Sequence, residues 1–194
     1  MRPGANRIPQ EDKREAILAA ALELFAVRGF HGTPVPLIAE RAQVGAGTLY
    51  RYFESKEAIV NELYREKKRQ LALALLGDLP LGAPTRQVFH EVWVRLGRFA
   101  ADHADVLAFL ELHHHDDYLD EQSRQVERDA LQPLKLFVED AQEKQIVKPG
   151  LPEVLMACVW GAFVGVVRAA KMGLIPLQPA MEVAEGCMWE AIRR

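Results

Sequence analysis

The densest run of chemically capable side chains in this 194-residue chain is His113-His114-His115-Asp116-Asp117. Imidazoles and carboxylates are metal ligands, but successive residues of a helix point about 100° apart, so three adjacent histidines cannot close on one ion. The expectation is a helix end bearing solvated or pocket-facing histidines, with no metal. Cys158 and Cys187 have no ligand-like spacing and sit in apolar helical patterns, which reads as buried free thiols rather than a disulfide. No Ser/His/Asp or Cys/His arrangement and no phosphate-cradling glycine loop is recognisable. These residues predict neither an enzyme nor a cofactor.

A different chemistry is spelled by residues 33–53, TPVPLIAERAQVGAGTLYRYF. They read as two short helices joined by a tight turn. Thr33 and Pro34 form an N-cap and first-position pair opening the first of them, and Pro36 falls where a missing N–H is tolerated. Ala39 is small where the two helices cross, and Ile38, Val44 and Leu49 lock helix, turn and helix together. That leaves Thr48, Tyr50, Arg51 and Tyr52 on the outward side of a two-turn helix, Ala46 to Phe53. So short a helix does not stand alone in water; held by a scaffold with its polar face outward, it is what reading a DNA major groove requires. The turn position Gln43 calls for φ > 0, which glycine takes freely and glutamine at a cost of ~1 kcal/mol.

The elements that must hold this pair are helices throughout, since no stretch alternates like a strand. A first helix is expected from about Glu11 to Arg28, ended by Gly29, with Ile17, Ala20, Ala21, Leu24 and Phe25 on one face. Ser55 caps a long helix running to about Leu76. The cluster from Gly77 to Pro84 breaks it, and five further helices are expected near 85–102, 104–114, 118–145, 151–172 and 178–193, with a joint at His103 and Pro133 inside the third of the five. About nine helices in all give an all-α fold in two domains behind a flexible arm at 1–10. These are a DNA-binding domain at 11–58 and a larger domain at 59–194, with helix 56–76 connecting them.

Composition agrees without deciding. Hydrophobic residues make up 49% and charged residues 26%, which excludes a disordered or fibrous chain. No uninterrupted apolar run of about 20 residues is visible, and the first ten residues have no apolar core, so neither a membrane partner nor a secretory signal is expected. The net charge of −3 hides an asymmetry. Residues 1–69 hold 12 Lys/Arg against 9 Asp/Glu, and residues 70–194 hold 12 against 18, as suits a DNA-facing front on an acidic body.

Residues 15–63 resemble the DNA-binding domain of the TetR family of transcriptional regulators. The residues that carry the likeness are Ala16-Ile17-Leu18, Leu24-Phe25, Gly29-Phe30-His31-Gly32-Thr33, Ile38-Ala39, Val44 and above all GTLYRYFESKE from Gly47 to Glu57. The resemblance implies that Thr33 touches a phosphate at a helix start and that Ala46, Gly47, Thr48, Tyr50, Arg51 and Tyr52 belong to the recognition helix. Tyr50 and Tyr52 would meet phosphates or thymine methyls, Arg51 a phosphate or a guanine edge, and Lys56 the backbone. Tyr52 either contacts DNA or packs partly beneath the helix. Small Ala46 and Gly47 leave few side chains to read bases, which shifts specificity toward DNA shape.

By the same resemblance the remaining helices form an effector pocket and a dimer interface. Phe89, Trp93, Phe99, Phe109, Phe137, Trp160 and Phe163 are either pocket lining or ordinary core, with His90, Arg95, His113 and His114 as candidate polar anchors. Gly161, Gly165 and Ala169 recur every four residues as a small-residue seam, joined by Val164, Val167, Met172, Met188 and Trp189. That seam packs either a second copy or a neighbouring helix of the same chain. The reading as a whole is a cytoplasmic, homodimeric repressor that binds a palindromic double-stranded DNA operator and is released by a small apolar or aromatic effector. The alternative is a coactivator or interaction protein that keeps the fold without binding DNA.

Overall fold

The computed structural model describes residues 10–80, 82–111 and 117–194. Among them are nine helices: α1 (Gln10–Arg28), α2 (Val35–Arg41), α3 (Ala46–Tyr52), α4 (Lys56–Leu76), α5 (Thr85–Asp102), α6 (Ala104–Glu111), α7 (Glu121–Glu143), α8 (Pro152–Lys171) and α9 (Leu177–Ile192). The fold is all-α, and the one strand-like pairing among the described residues is an antiparallel bridge between Val147 and Arg193. His113, His114 and His115 lie outside the described residues.

Two compact units divide the chain. The first draws on Met1–Lys67 and Asp105–Arg124, the second on Lys68–Ala104 and Gln125–Arg194. This corrects the expected boundary after residue 58. Half of α4, most of α6 and the start of α7 pack with the helix-turn-helix because non-local contacts hold them there. Phe109 of α6 is fully buried, with its ring stacked 6.1 Å from Phe25 of α1. Phe109 is therefore core of the first unit and not a wall of an effector pocket in the second.

A buried polar network fixes residues 118–123 to α4. Asn61, 5% exposed among buried Ile59, Val60, Leu63 and Tyr64, donates from Nδ2 to the Tyr118 carbonyl at 2.8 Å. Its Oδ1 accepts the Asp120 amide and the Ser123 hydroxyl, each at 2.8 Å. The Ser123 amide donates to Asp120 at 2.7 Å, and the Arg65 guanidinium reaches both Asp120 carboxylate oxygens and the Ser123 hydroxyl. Every group is satisfied, as a buried network needs to be to stabilise rather than cost.

In the second unit α5 buries Val88, Phe89, Trp93, Leu96, Phe99 and Ala100, and Trp93 donates its indole N–H to the Met181 carbonyl of α9 at 2.8 Å. Gly97 is small because a Cβ there would come within 3.3 Å of the Met181 side chain. Arg95 pairs with Glu91 and donates to the carbonyls of Leu75 and Gly77, so it caps the end of α4 rather than anchoring a ligand. His90 is an exposed surface group, 2.9 Å from the buried carboxylate of Glu185, and is likewise no cavity anchor. The expected ends hold elsewhere. Ser55 Oγ accepts the Ala58 amide at the start of α4, and His103 closes α5.

The surface of α8 departs from expectation. Only Phe163 is buried along its 20 residues. By length and composition the helix is apolar enough to cross a bilayer, although its sequence is interrupted by Glu153 and Arg168. Cys158 on α8 and Cys187 on α9 are exposed free thiols, where buried ones were expected.

The network gives Asp120 a pH signature. Burial opposes its ionisation, but the Ser123 amide and hydroxyl and the Arg65 guanidinium outweigh it, so its carboxyl titrates below the usual carboxylate value. A carboxyl depressed on folding contributes stability above its unfolded pKa and loses it as pH falls through the folded one. Asp120→Asn should lower the thermal midpoint at pH 7 modestly, Asp120 being half exposed. The gap between variant and wild type should close as the pH is taken below about 4. A constant gap across that range, measured by thermal melts, contradicts the assignment.

Candidate nucleic-acid interface

Helix α3 is seven residues long, and Leu49 is its one buried residue. Leu49 is fully buried, and with Ile38 and Ala39 of α2, 0% and 3% exposed, it forms the joint between the two helices. The turn closes with the Val44 amide on the Ala39 carbonyl at 2.9 Å and the Thr48 amide on Gly45 at 2.8 Å. Gln43 has φ 56°, the left-handed conformation the turn demands. Phe53, 3% exposed, ends α3 against the head, with the Arg14 guanidinium 5.8 Å from its ring centroid.

This clamp turns the other face outward. Ala46, Gly47 and Arg51 are exposed, Tyr50 is 53% exposed, and Thr48 and Tyr52 are half-buried. A Cβ on Gly47 would meet nothing within 4 Å. The Arg51 guanidinium has no hydrogen-bond or ion-pair partner among the described residues. An unpaired cation beside an exposed phenol on a rigid short helix is suited to a polyanion or to base edges.

Two expected contacts are placed differently. Thr33 is fully buried, and its hydroxyl donates to the Gly29 carbonyl at 2.8 Å and to that of Leu24 at 3.4 Å. It cannot offer that hydroxyl to a phosphate. It fixes the α1–α2 turn, and exposed Pro34 takes the cap position of α2. Lys56 donates to the Phe30 carbonyl at 2.8 Å and sits 4.0 Å from the centre of the Phe30 ring. Its ammonium is thus engaged within the head. Sequence reasoning missed Arg14, Asn61 and Tyr118 as supports of this surface. Only Asn61, a polar residue at a core position of α4, left a local signal.

The chain matches the model of bacterial regulatory proteins of the tetR family over residues 17–63. It matches the model of the tetracyclin repressor-like C-terminal domain over residues 64–194. It belongs to the TetR family. An uncharacterised helix-turn-helix transcriptional regulator of Bacillus subtilis, YhgD, is 26% identical over 149 residues, 74% of this chain and 76% of that protein. The fatty acid metabolism regulator protein of the same organism is 37% identical over 71 residues, 37% of each chain. A crystal structure of a TetR-family transcription regulator from Marinobacter aquaeolei superposes with a TM-score of 0.83 at 23% identity, covering 94% of this chain and 96% of that one, and so shares the fold.

The left-handed turn makes a clean stability test. Glycine adopts φ near 56° without a Cβ penalty, so Gln43→Gly should raise the unfolding free energy by about 1 kcal/mol. A denaturant titration in which the variant is no more stable than wild type would show that glutamine bears no strain there.

Proposed function

We propose that this TetR-family regulator binds a palindromic operator as a homodimer, acts as a repressor, and is released by a small molecule held in its second unit. The observation that carries the DNA reading is the outward face of α3, where Tyr50 is exposed and Arg51 unpartnered while Leu49 is locked into the head. Tyr50 and Tyr52 contact backbone or thymine methyls, Arg51 a base edge or phosphate, and Thr48 lies between them, with Ala46 and Gly47 admitting close approach. A cytoplasmic location follows from a DNA partner.

Dimerisation is supported by α8 and α9. Gly161 and Gly165 are exposed, and a Cβ on either would meet nothing within 4 Å, as is also true of Gly186 on α9. No described residue lies against these glycines, which supports reading the seam as open to a second copy. Val164, Ala169, Met188 and Trp189 are half-buried beside it, and Val154, Met172, Leu174 and Val183 are more than half exposed. Removing such a surface from water is worth about 25 cal/mol per Å², which favours a second copy.

Trp160, Phe163, Trp93, Phe89 and Trp189 form a chain of ring contacts in the second unit, with centroids 5.2 to 6.4 Å apart, and Phe137 of α7 is half-buried. An apolar or aromatic ligand would enter among these rings.

Duplexes selected by the full-length protein from a random-sequence library should converge on an inverted repeat, and Arg51→Ala should relax preference at one or two base pairs per half-site. Failure to enrich any duplex at moderate salt removes the DNA reading. Gly165→Arg should leave the folded subunit at least as stable, since arginine is a better helix former than glycine, yet yield monomers by sedimentation and abolish operator binding. A Gly165→Arg protein that still sediments as a dimer excludes this seam as the interface.

A further inference from the structure

Phe30, at the turn between α1 and α2, is engaged on several sides. It is 8% exposed, its carbonyl and ring are both engaged by Lys56, and Phe25 and His31 lie 6.1 and 5.3 Å away. The closest ring to it comes from far along the sequence. Tyr118, in the segment between α6 and α7, stacks on Phe30 with centroids 4.1 Å apart and planes at 20°. The backbone of Tyr118 is held by Asn61 of α4, through the network that also fixes Asp120 and Ser123.

We infer that Tyr118 is a positioning residue for DNA reading, acting through Phe30. The turn it grips leads directly into α2. Thr33 ties that turn to the end of α1, and Leu37 follows within α2, so the orientation of α2 and of α3 behind it depends on where Phe30 sits. Stacked aromatic pairs are directional, and loss of the stack frees the ring to repack without unfolding the domain. The α6–α7 junction thereby shares with α4 the control of how the recognition helix is presented. α7 begins at Glu121, three residues after Tyr118. This inference rests on the DNA-binding reading above.

The test uses the full-length protein and a duplex that wild type itself selects from a random-sequence library, with affinity read by fluorescence anisotropy across a salt series. Tyr118→Phe keeps the stack and should bind within about twofold of wild type. Tyr118→Leu keeps apolar bulk but not the stack, and should weaken binding about tenfold with an unchanged salt slope, because Tyr118 itself touches no phosphate. Phe30→Leu should lose as much, and the double variant should be no worse than either single one, as expected for one shared contact. Amide exchange of residues 35–42 should rise in Tyr118→Leu while that of α8 and α9 stays at the wild-type level. Wild-type binding with an unaffected, folded Tyr118→Leu overturns the inference, as do fully additive losses or a Tyr118→Phe protein as weak as the leucine variant. If Tyr118→Leu exchanges fast throughout, Tyr118 is a general stability residue and the positioning role also fails. Wild type that selects no duplex would instead sink the DNA-binding reading, a distinguishable result.

Discussion

Seven residues cannot sustain a helix in water, because the cost of nucleating the first turn is not recovered over so few hydrogen bonds. α3 exists only because Leu49 is buried against Ile38 and Ala39 while Phe53 ends the helix in the head. That one-sided burial sets the function. A helix anchored by its inner face at one residue in the middle and one at its end must present the residues between them, Tyr50 and Arg51, to whatever lies outside. Three features of the first unit support that clamp. Thr33 fixes the turn into α2, Gln43 accepts a left-handed backbone to bring α3 round, and the Arg41–Glu23 ion pair, 2.7 Å from Nε, fastens the far end of α2 to α1.

How much of this was legible depends on how far each residue reaches. Features decided within one turn of chain could be read directly: Ser55 as a cap, the end of α5 at His103, the strained conformation of Gln43, the spacing of Gly161, Gly165 and Ala169. Tyr50 and Arg51 were legible as outward for the same reason, since helical period places them once Leu49 is assigned inward, whereas Thr48 and Tyr52, expected outward with them, are half-buried. Thr33 was misplaced because a threonine at a helix start has two uses for its hydroxyl, and its own primary sequence does not say that the carbonyls of Leu24 and Gly29 will lie within reach. Arg95, His90 and Phe109 were misassigned because each is defined by a partner 18 to 95 residues away, respectively the Gly77 carbonyl, Glu185 and Phe25. Side chains named as pocket candidates for their type alone turned out to be a cap, a surface pair and core of the other unit.

The division of the chain makes the same point. The composition changes near residue 69, and the family models meet between residues 63 and 64, yet the compact first unit also recruits residues 105–124. Nothing local marks that recruitment except Asn61. A lone amide among Ile59, Val60, Leu63 and Tyr64 would be costly in an apolar core, so its presence requires partners from elsewhere, and the Tyr118 carbonyl, the Asp120 amide and the Ser123 hydroxyl supply them. A buried polar residue in a helix that is otherwise core is thus a pointer to a long-range docking event, even when the docked segment cannot be named.

The two units, each taken by itself, pose opposite versions of one problem. The head solves the exposure of a short helix by burying one side of it within the subunit. α8 leaves an apolar surface with glycines at 161 and 165 facing open space, a poor arrangement for an isolated helix, since glycine there weakens the helix and the surface stays wet. A membrane would cover such a helix, but Phe163 is fully buried against Trp93 and Trp160, and the partner helix α9 carries the buried Glu185 paired with Arg86. These contacts tie α8 and α9 into a folded unit whose remaining apolar surface combines exposed glycines with Val154 and Val183. The proposed homodimer would cover this surface with a second copy of the same two helices, and a head that reads two half-sites together would need that copy.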